Sequence, residues 1–180
     1  MKMLKKLLAV VLTGAMALTF LTACGSNAVN DKNIADALND IVKSSVAVGK
    51  HEDYTFKPRT DEQAMAKAIA ALSESDRSTK DGKLPEKVME ILGLDEDGAN
   101  KTSRFVWCGA VVADEIGATG QAYHAMNEIL GKDAANADKL TNKKPADIRH
   151  IGTALGTLTI QGKQTRVRFI VVTAEAVDKK

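Results

Sequence analysis

The order of patterns along this 180-residue chain predicts an α+β fold. Segments with helical spacing come first, from about residue 33, and two long β-rich runs joined by a turn close the chain. That order suggests an antiparallel sheet, because alternating strand–helix–strand units would be needed for a parallel one.

Each element has its own signature. Ile34, Ala37, Leu38, Ile41 and Val42 recur at helical spacing behind Asp31, a candidate cap. Residues 49–59, "GKHEDYTFKPR", interrupt the pattern with Gly49 and Pro58. The run "TDEQ" predicts a second helix opened by a capping box, Thr60 with Gln63, and striped by Met65, Ala68, Ile69 and Leu72. A polar loop over 73–83, with Asp81-Gly82 as turn chemistry, leads to Pro85 at the start of a third helix. Val88, Ile91 and Leu92 face inward there, and Gly93 stops it. After the polar "DEDGANK", residues 104–113, "RFVWCGAVVA", read as a strand. A fourth helix over about Gly120–Leu130 directs Ala122, Tyr123, Met126, Ile129 and Leu130 to the core. Residues 131–148, with Pro145, read as loop. The closing hairpin turns at Gln161-Gly162-Lys163, with Leu155, Thr157, Val167, Phe169 and Val171 alternating across the sheet. No internal repeat or low-complexity tract is present.

The first 23 residues read as an export signal. Lys2, Lys5 and Lys6 precede the apolar stretch Leu7–Phe20, and Leu21-Thr22-Ala23 leads to Cys24. The apolar core is short for a spanning helix, which needs about 20 residues. "LTAC" resembles the bacterial lipobox. The resemblance implies cleavage before Cys24, lipid on its thiol, a tether over 24–32 and one globular domain over 33–180. Anchoring through several acyl chains places the domain on the extracytoplasmic face of the cell membrane.

Removing the signal changes the charge balance. The chain has 25 Lys and Arg against 23 Asp and Glu. Without the three signal lysines the balance is 22 against 23, or −1, which offers no basic face for nucleic acid. Cys108 is the only other cysteine, so with Cys24 acylated it has no disulfide partner within the chain.

Candidate chemistry is sparse. Cys108 with His124 or His150 would make a thiolate pair, but Cys108 lies in an apolar strand where free cysteine packs as a small hydrophobe. His51, Glu52 and Asp53 are adjacent loop residues that do not converge on one ion, and the acidic run 95–97 lacks calcium-loop spacing. "GATGQ" reads as a tight turn into a helix and is not a P-loop. No metal site and no cofactor are expected.

Several stretches, in order, resemble the bacterial branch of the CAP superfamily (cysteine-rich secretory proteins, antigen 5, pathogenesis-related proteins). "KDGKLPEKVMEILGL" carries its pattern at Asp81, Gly82, Pro85, Val88 and Gly93. "VVADEIGATG" is similar to its Glu-Asn-Ile segment through Glu115 and Ile116, and "RHIGTALGT" to its closing strands through Ile151 and Gly152. "LNDIVKSS" and "DEQAMAKAIAAL" stand where it places its first two helices. The resemblance implies an α-β-α sandwich with a central antiparallel sheet and a ligand groove, here Glu115, Arg77 and Asp81. Two departures follow. Arg77 stands where the family has its first cleft histidine, and the loop Lys139–Pro145 holds none for the second. A zinc site of the family kind is therefore not expected. The function expected is a non-enzymatic, membrane-tethered module binding an unspecified protein or small molecule. A solute-binding lipoprotein of a transporter or sensor, and an extracytoplasmic hydrolase, are the alternatives.

Overall fold

The computed structural model describes residues 29–179 apart from 48, 50–52, 80–82, 95–102, 114 and 115. Helix α1 spans Asp31–Ala47. Its cap is Asn30 rather than Asp31: the Asn33 N–H donates to Asn30 Oδ1 at 3.0 Å and the Asn30 N–H to Asn33 Oδ1 at 3.2 Å. Asp31 turns its carboxylate away, accepting from the Thr153 N–H at 3.1 Å and from Gln63 Nε2 at 2.8 Å. Val29 packs against the core. The last four residues of the expected tether therefore belong to the fold.

Strand β1, Thr55–Pro58, lies within the stretch read as a break. It buries only Phe56, so no alternation marked it. Helix α2 covers Thr60–Ala71 without the expected capping box, because Gln63 reaches out to Asp31. Its buried face is Glu62, Ala66 and Ile69, while Ala68 is exposed. One turn, α3 (Glu74–Arg77), forms inside the expected polar loop. Helix α4, Glu86–Leu92, follows Pro85 and ends at Gly93. At φ 70° Gly93 lets its own N–H reach Glu90 O and the Leu94 N–H reach Met89 O at 2.8 Å.

Strand β2 is Arg104–Val112. Helix α5, Ala118–Ala125, continues as a π-turn over Met126–Leu130. Ala122, Ala125, Ile129 and Leu130 are buried, whereas Tyr123, expected inside, is exposed. Strand β3 runs Lys143–Ile160 and β4 Lys163–Asp178. The start of β3 takes up part of the expected loop, with a register irregularity between Pro145 and Arg149 that accommodates the proline. Gln161 (φ 52°) and Gly162 (φ 77°) form the two-residue turn.

The sheet order is β1-β3-β4-β2. The pairs β2–β4 and β3–β4 are antiparallel, but β1 joins β3 in parallel, so the sheet is mixed. The α+β class holds. Pairing sets Leu155 opposite Arg168 and Ala154 opposite Phe169. Ala154, Gly156 and Leu158 therefore share the face of Val167, Phe169 and Val171. Leu155 and Thr157 point the other way, a one-residue correction to the expected face.

Each face of the sheet carries its own core. Phe105, Trp107, Ile151, Ile170 and Val172 pack under α1 and α5 with Ile34, Leu38 and Ala122. Val106, Val167, Phe169 and Val171 pack under α2 and α4 with Ala66, Ile69, Val88 and Leu92. The chain crosses between layers at Arg59, whose N–H bonds to Ile151 O at 3.0 Å, and lays the first turn of α2 on Gly152.

Candidate binding cleft

Both sheet edges meet an asparagine side chain that imitates a neighbouring strand. On β1, Asn39 receives the Phe56 N–H at 2.7 Å and donates to Phe56 O at 3.0 Å. On β2, Asn136 receives the Val106 N–H at 3.1 Å and donates to Arg104 O at 2.8 Å, and the Ala135 N–H reaches Val106 O at 2.8 Å. Buried Asn136, held there by the turn around Ala137–Lys139, thus closes the first part of the β2 edge.

Beyond Val106 a cleft of about 880 Å³ opens. Trp107, Cys108, Gly109 and Ala110 of β2 line it. One wall is Leu84, Val88 and Met89, at and on α4; the other is Glu128, Ile129 and Lys132, at and after the π-turn. Ile69, Leu158 and Phe169 form its apolar depth. Gly109 lets the second wall come close, since a Cβ there would stand 2.8 Å from Ile129 Cγ1. Trp107 Nε1–H donates to Lys132 O at 3.1 Å and ties the same wall to the strand.

Arg77, an expected groove residue, lines this cleft. Its guanidinium is occupied: it donates to Ala70 O and to Thr157 O, and lies 5.1 Å from the Phe169 ring centroid. It joins α2 to β3 as part of the wall, its two terminal nitrogens held by carbonyl oxygens. Asp81 and Glu115, the other two expected groove residues, lie outside the described residues, as do Cys24, His51 and Glu52. Thr79 and Lys83, on either side of the segment holding Asp81, both line the cleft.

Cys108 is half-buried and packs against the α2–α4 core. Burial pushes its thiol up to about 12. At pH 7 only about one thiol in 10⁵ is then thiolate. A maleimide at pH 7 should modify native Cys108 very slowly, with the rate rising about tenfold per pH unit toward pH 9. Modification at the rate of the unfolded chain would contradict this environment. Neither histidine assists. His124 is exposed and paired with Glu128 at 2.8 Å. His150 sits opposite Thr173 while Cys108 sits opposite Val171, with β4 between them.

Two buried polar clusters escaped the sequence reading. Glu62 is fully buried; Arg59 Nε donates to it at 2.6 Å and Thr173 Oγ1 at 2.6 Å. Burial alone would raise its carboxyl, but the Arg59 and Thr173 bonds outweigh it and hold the group below 4.5. Burial, reinforced by the Arg59 charge, holds neighbouring His150 below 6.5. On the opposite face, buried Arg168 donates to Gln121 Oε1 at 2.6 Å, Thr153 Oγ1 at 2.9 Å and Val29 O at 2.7 Å. Neither the Glu62 carboxylate nor the Arg168 guanidinium lines the cleft. Both clusters join helices to the sheet. A Glu at the third position of a helix reads from sequence as a solvated first-turn acid, and only the tertiary packing buries it. Among the described residues no three His, Cys, Asp or Glu come together as metal ligands.

No protein-family model, no curated protein and no solved structure matches this chain.

Proposed function

We propose that this chain is a lipid-anchored binding module of the cell envelope, with the cleft beside β2 as its ligand site. The observation that carries the reading is the cleft itself, an apolar hollow with the hydrogen-bonding edge of a strand along it. Pockets that join an apolar lining to a few fixed polar groups are the usual ligand sites. Cys108, the thiol in the cleft, is held protonated, which argues against a cysteine nucleophile there. The lipid anchor at Cys24 and the CAP-like relation belong to the same proposal. The anchor is supported by the order of the signal residues, and the CAP-like relation by the order of its sequence pieces and by helical layers on both sheet faces.

Four residues separate Cys24 from Val29, which packs against the core. Five peptide steps span at most about 17 Å, so the anchor would hold the domain close to the bilayer surface. Two measurements test the proposal. In a detergent phase split, the wild-type chain expressed with its signal should enter the detergent phase, and Cys24→Ala should either leave it or stall with its signal uncleaved; wild type in the aqueous phase would remove the anchor. For the cleft, 1-anilinonaphthalene-8-sulfonate should show energy transfer from Trp107, the chain's one tryptophan, and slow the alkylation of Cys108. Absence of both effects would remove the cleft from the function.

A further inference from the structure

We infer that the ligand is an extended peptide, which adds to the sheet as a fifth strand along Cys108–Val112. The inference rests on the cleft being the binding site. Strand bonds alternate in direction with a period of two residues. The outward bonds of Val106 to Asn136 and Ala135 set that phase, and the Ala113 N–H bond to Arg166 O agrees with it. Trp107, Gly109 and Val111 therefore spend their backbone groups on β4. Cys108, Ala110 and Val112 turn theirs toward the open edge. Among the described residues nothing bonds to the outward groups of Cys108 and Ala110. The contrast with β1 is direct: that strand has four residues, and Asn39 occupies the edge of the single one it buries.

Geometry selects the occupant. The edge runs between two helical layers, with Met89 on one wall and Ile129 on the other. A single extended chain fits between such walls. The sheet of a second copy does not, since its own helices would meet them. Strand addition supplies main-chain hydrogen bonds for affinity and reads alternate side chains for specificity. Side chains on the Cys108–Ala110 side would meet Leu84 and Met89, so aliphatic residues fit there. Of the charged residues lining the cleft, Arg77, Lys83, Lys132 and Lys139 are basic and Glu128, Asp133 and Asp138 acidic, an excess of one positive charge. An acidic residue between the aliphatic ones is favoured over a basic one.

The test uses the domain over residues 29–180 within the full chain, carrying Cys24→Ala for solubility, and acetylated, amidated hexapeptides. These have Val, Ile or Leu at alternate positions, and Thr, Glu or Lys between them. With a saturating peptide, amide exchange at Cys108 and Ala110 should slow at least tenfold, while Gly109 and Val111 change less than twofold. Glu-containing peptides should bind more tightly than Lys-containing ones. N-methylation at every second peptide residue should cost at least tenfold in affinity in one phase and little in the other. On the protein, Ala110→Pro removes an outward N–H that β4 does not use, and should abolish binding with the fold retained. The N-methyl series needs no variant, so it decides the matter even if that proline disturbs folding. Binding with no protection at Cys108 and Ala110, or insensitivity to N-methyl phase, overturns the inference. Anilinonaphthalene binding in the cleft with no peptide binding overturns the inference and leaves the binding-module reading standing. Absence of both overturns the two together.

Discussion

Replacing Gly152 by alanine should lower the stability of the folded domain by about 4 kcal/mol or more, the largest effect expected from a single methyl group in this protein. A Cβ on Gly152 would stand 1.9 Å from Gln63 N, 2.1 Å from Glu62 C and 2.5 Å from Gln63 Cα. All three are backbone atoms of the first turn of α2, so no rotamer change relieves the overlap. The helix would have to rise off the sheet, taking Ala66 and Ile69 out of their core and Glu62 from its partners. For a domain of this size the loss corresponds to a fall in Tm of roughly 10–15 °C. Gly156 and Gly109 are the controls. Their nearest obstacles are Phe169 Cε2 at the ring edge and Ile129 Cγ1, each 2.8 Å away and each a side-chain rather than a backbone atom. Alanine at either should cost about 1–2 kcal/mol. Urea denaturation of the three variants decides it. Gly152→Ala within about 1 kcal/mol of wild type would mean that α2 is not seated on that residue.

Arg59→Met should destabilise the domain by about 2–3 kcal/mol. It leaves the fully buried Glu62 carboxylate with Thr173 and with Arg104 Nη1 at 3.9 Å. The figure is at the low end for breaking a buried pair because the Arg59 side chain is 30% exposed and already partly screened. The double variant Arg59→Met, Glu62→Met should recover most of the loss, since replacing both partners with apolar groups removes the stranded charge. A double variant worse than the sum of its singles would point to a different role for Glu62. The same cluster sets an acid limb. His150 has a folded-state value below its ordinary 6.5, so the unfolded chain takes up the proton first and stability falls as pH drops below 6.5. Glu62, held below 4.5, contributes stability that is complete above that value and lost as pH falls through its folded-state value. Glu62→Gln should flatten the lower part of this limb, read from urea midpoints between pH 3 and 7.

The elements that could be read from sequence are those whose own residues carry the period. Helix α4 announces itself with Pro85 and Gly93, and the hairpin with Gln161-Gly162, because backbone geometry at those points is a local matter. Strand β1 was hidden since a four-residue edge strand with one buried side chain has no period to show. The caps of α1 and α2 were misassigned for a related reason. Asp31 and Gln63 suit a helix start, but the fold pairs them with each other and with Thr153, residues that come together only after the sheet has formed. Tyr123 was placed inside from a stripe that the π-turn after Ala125 shifts. Of the candidate groove, Arg77 lines the cleft; Cys108, which also lines it, reads from sequence only as a packed hydrophobe. The cleft itself was not visible in sequence, because its walls come from α4 and from residues 128–132, which the chain separates by some forty positions.

Sequence alone determined the α+β class, the signal-like order of residues leading to Cys24 and the near-balance of 25 basic against 23 acidic residues, since each depends on residue type and order. The tertiary structure decided which strand lies at the edge, that Asn136 stops short of Cys108, and that Glu62 and Arg168 are buried. These are consequences of strand order and of layers meeting across the sheet. Such contacts join residues far apart in the chain, and no local pattern encodes them.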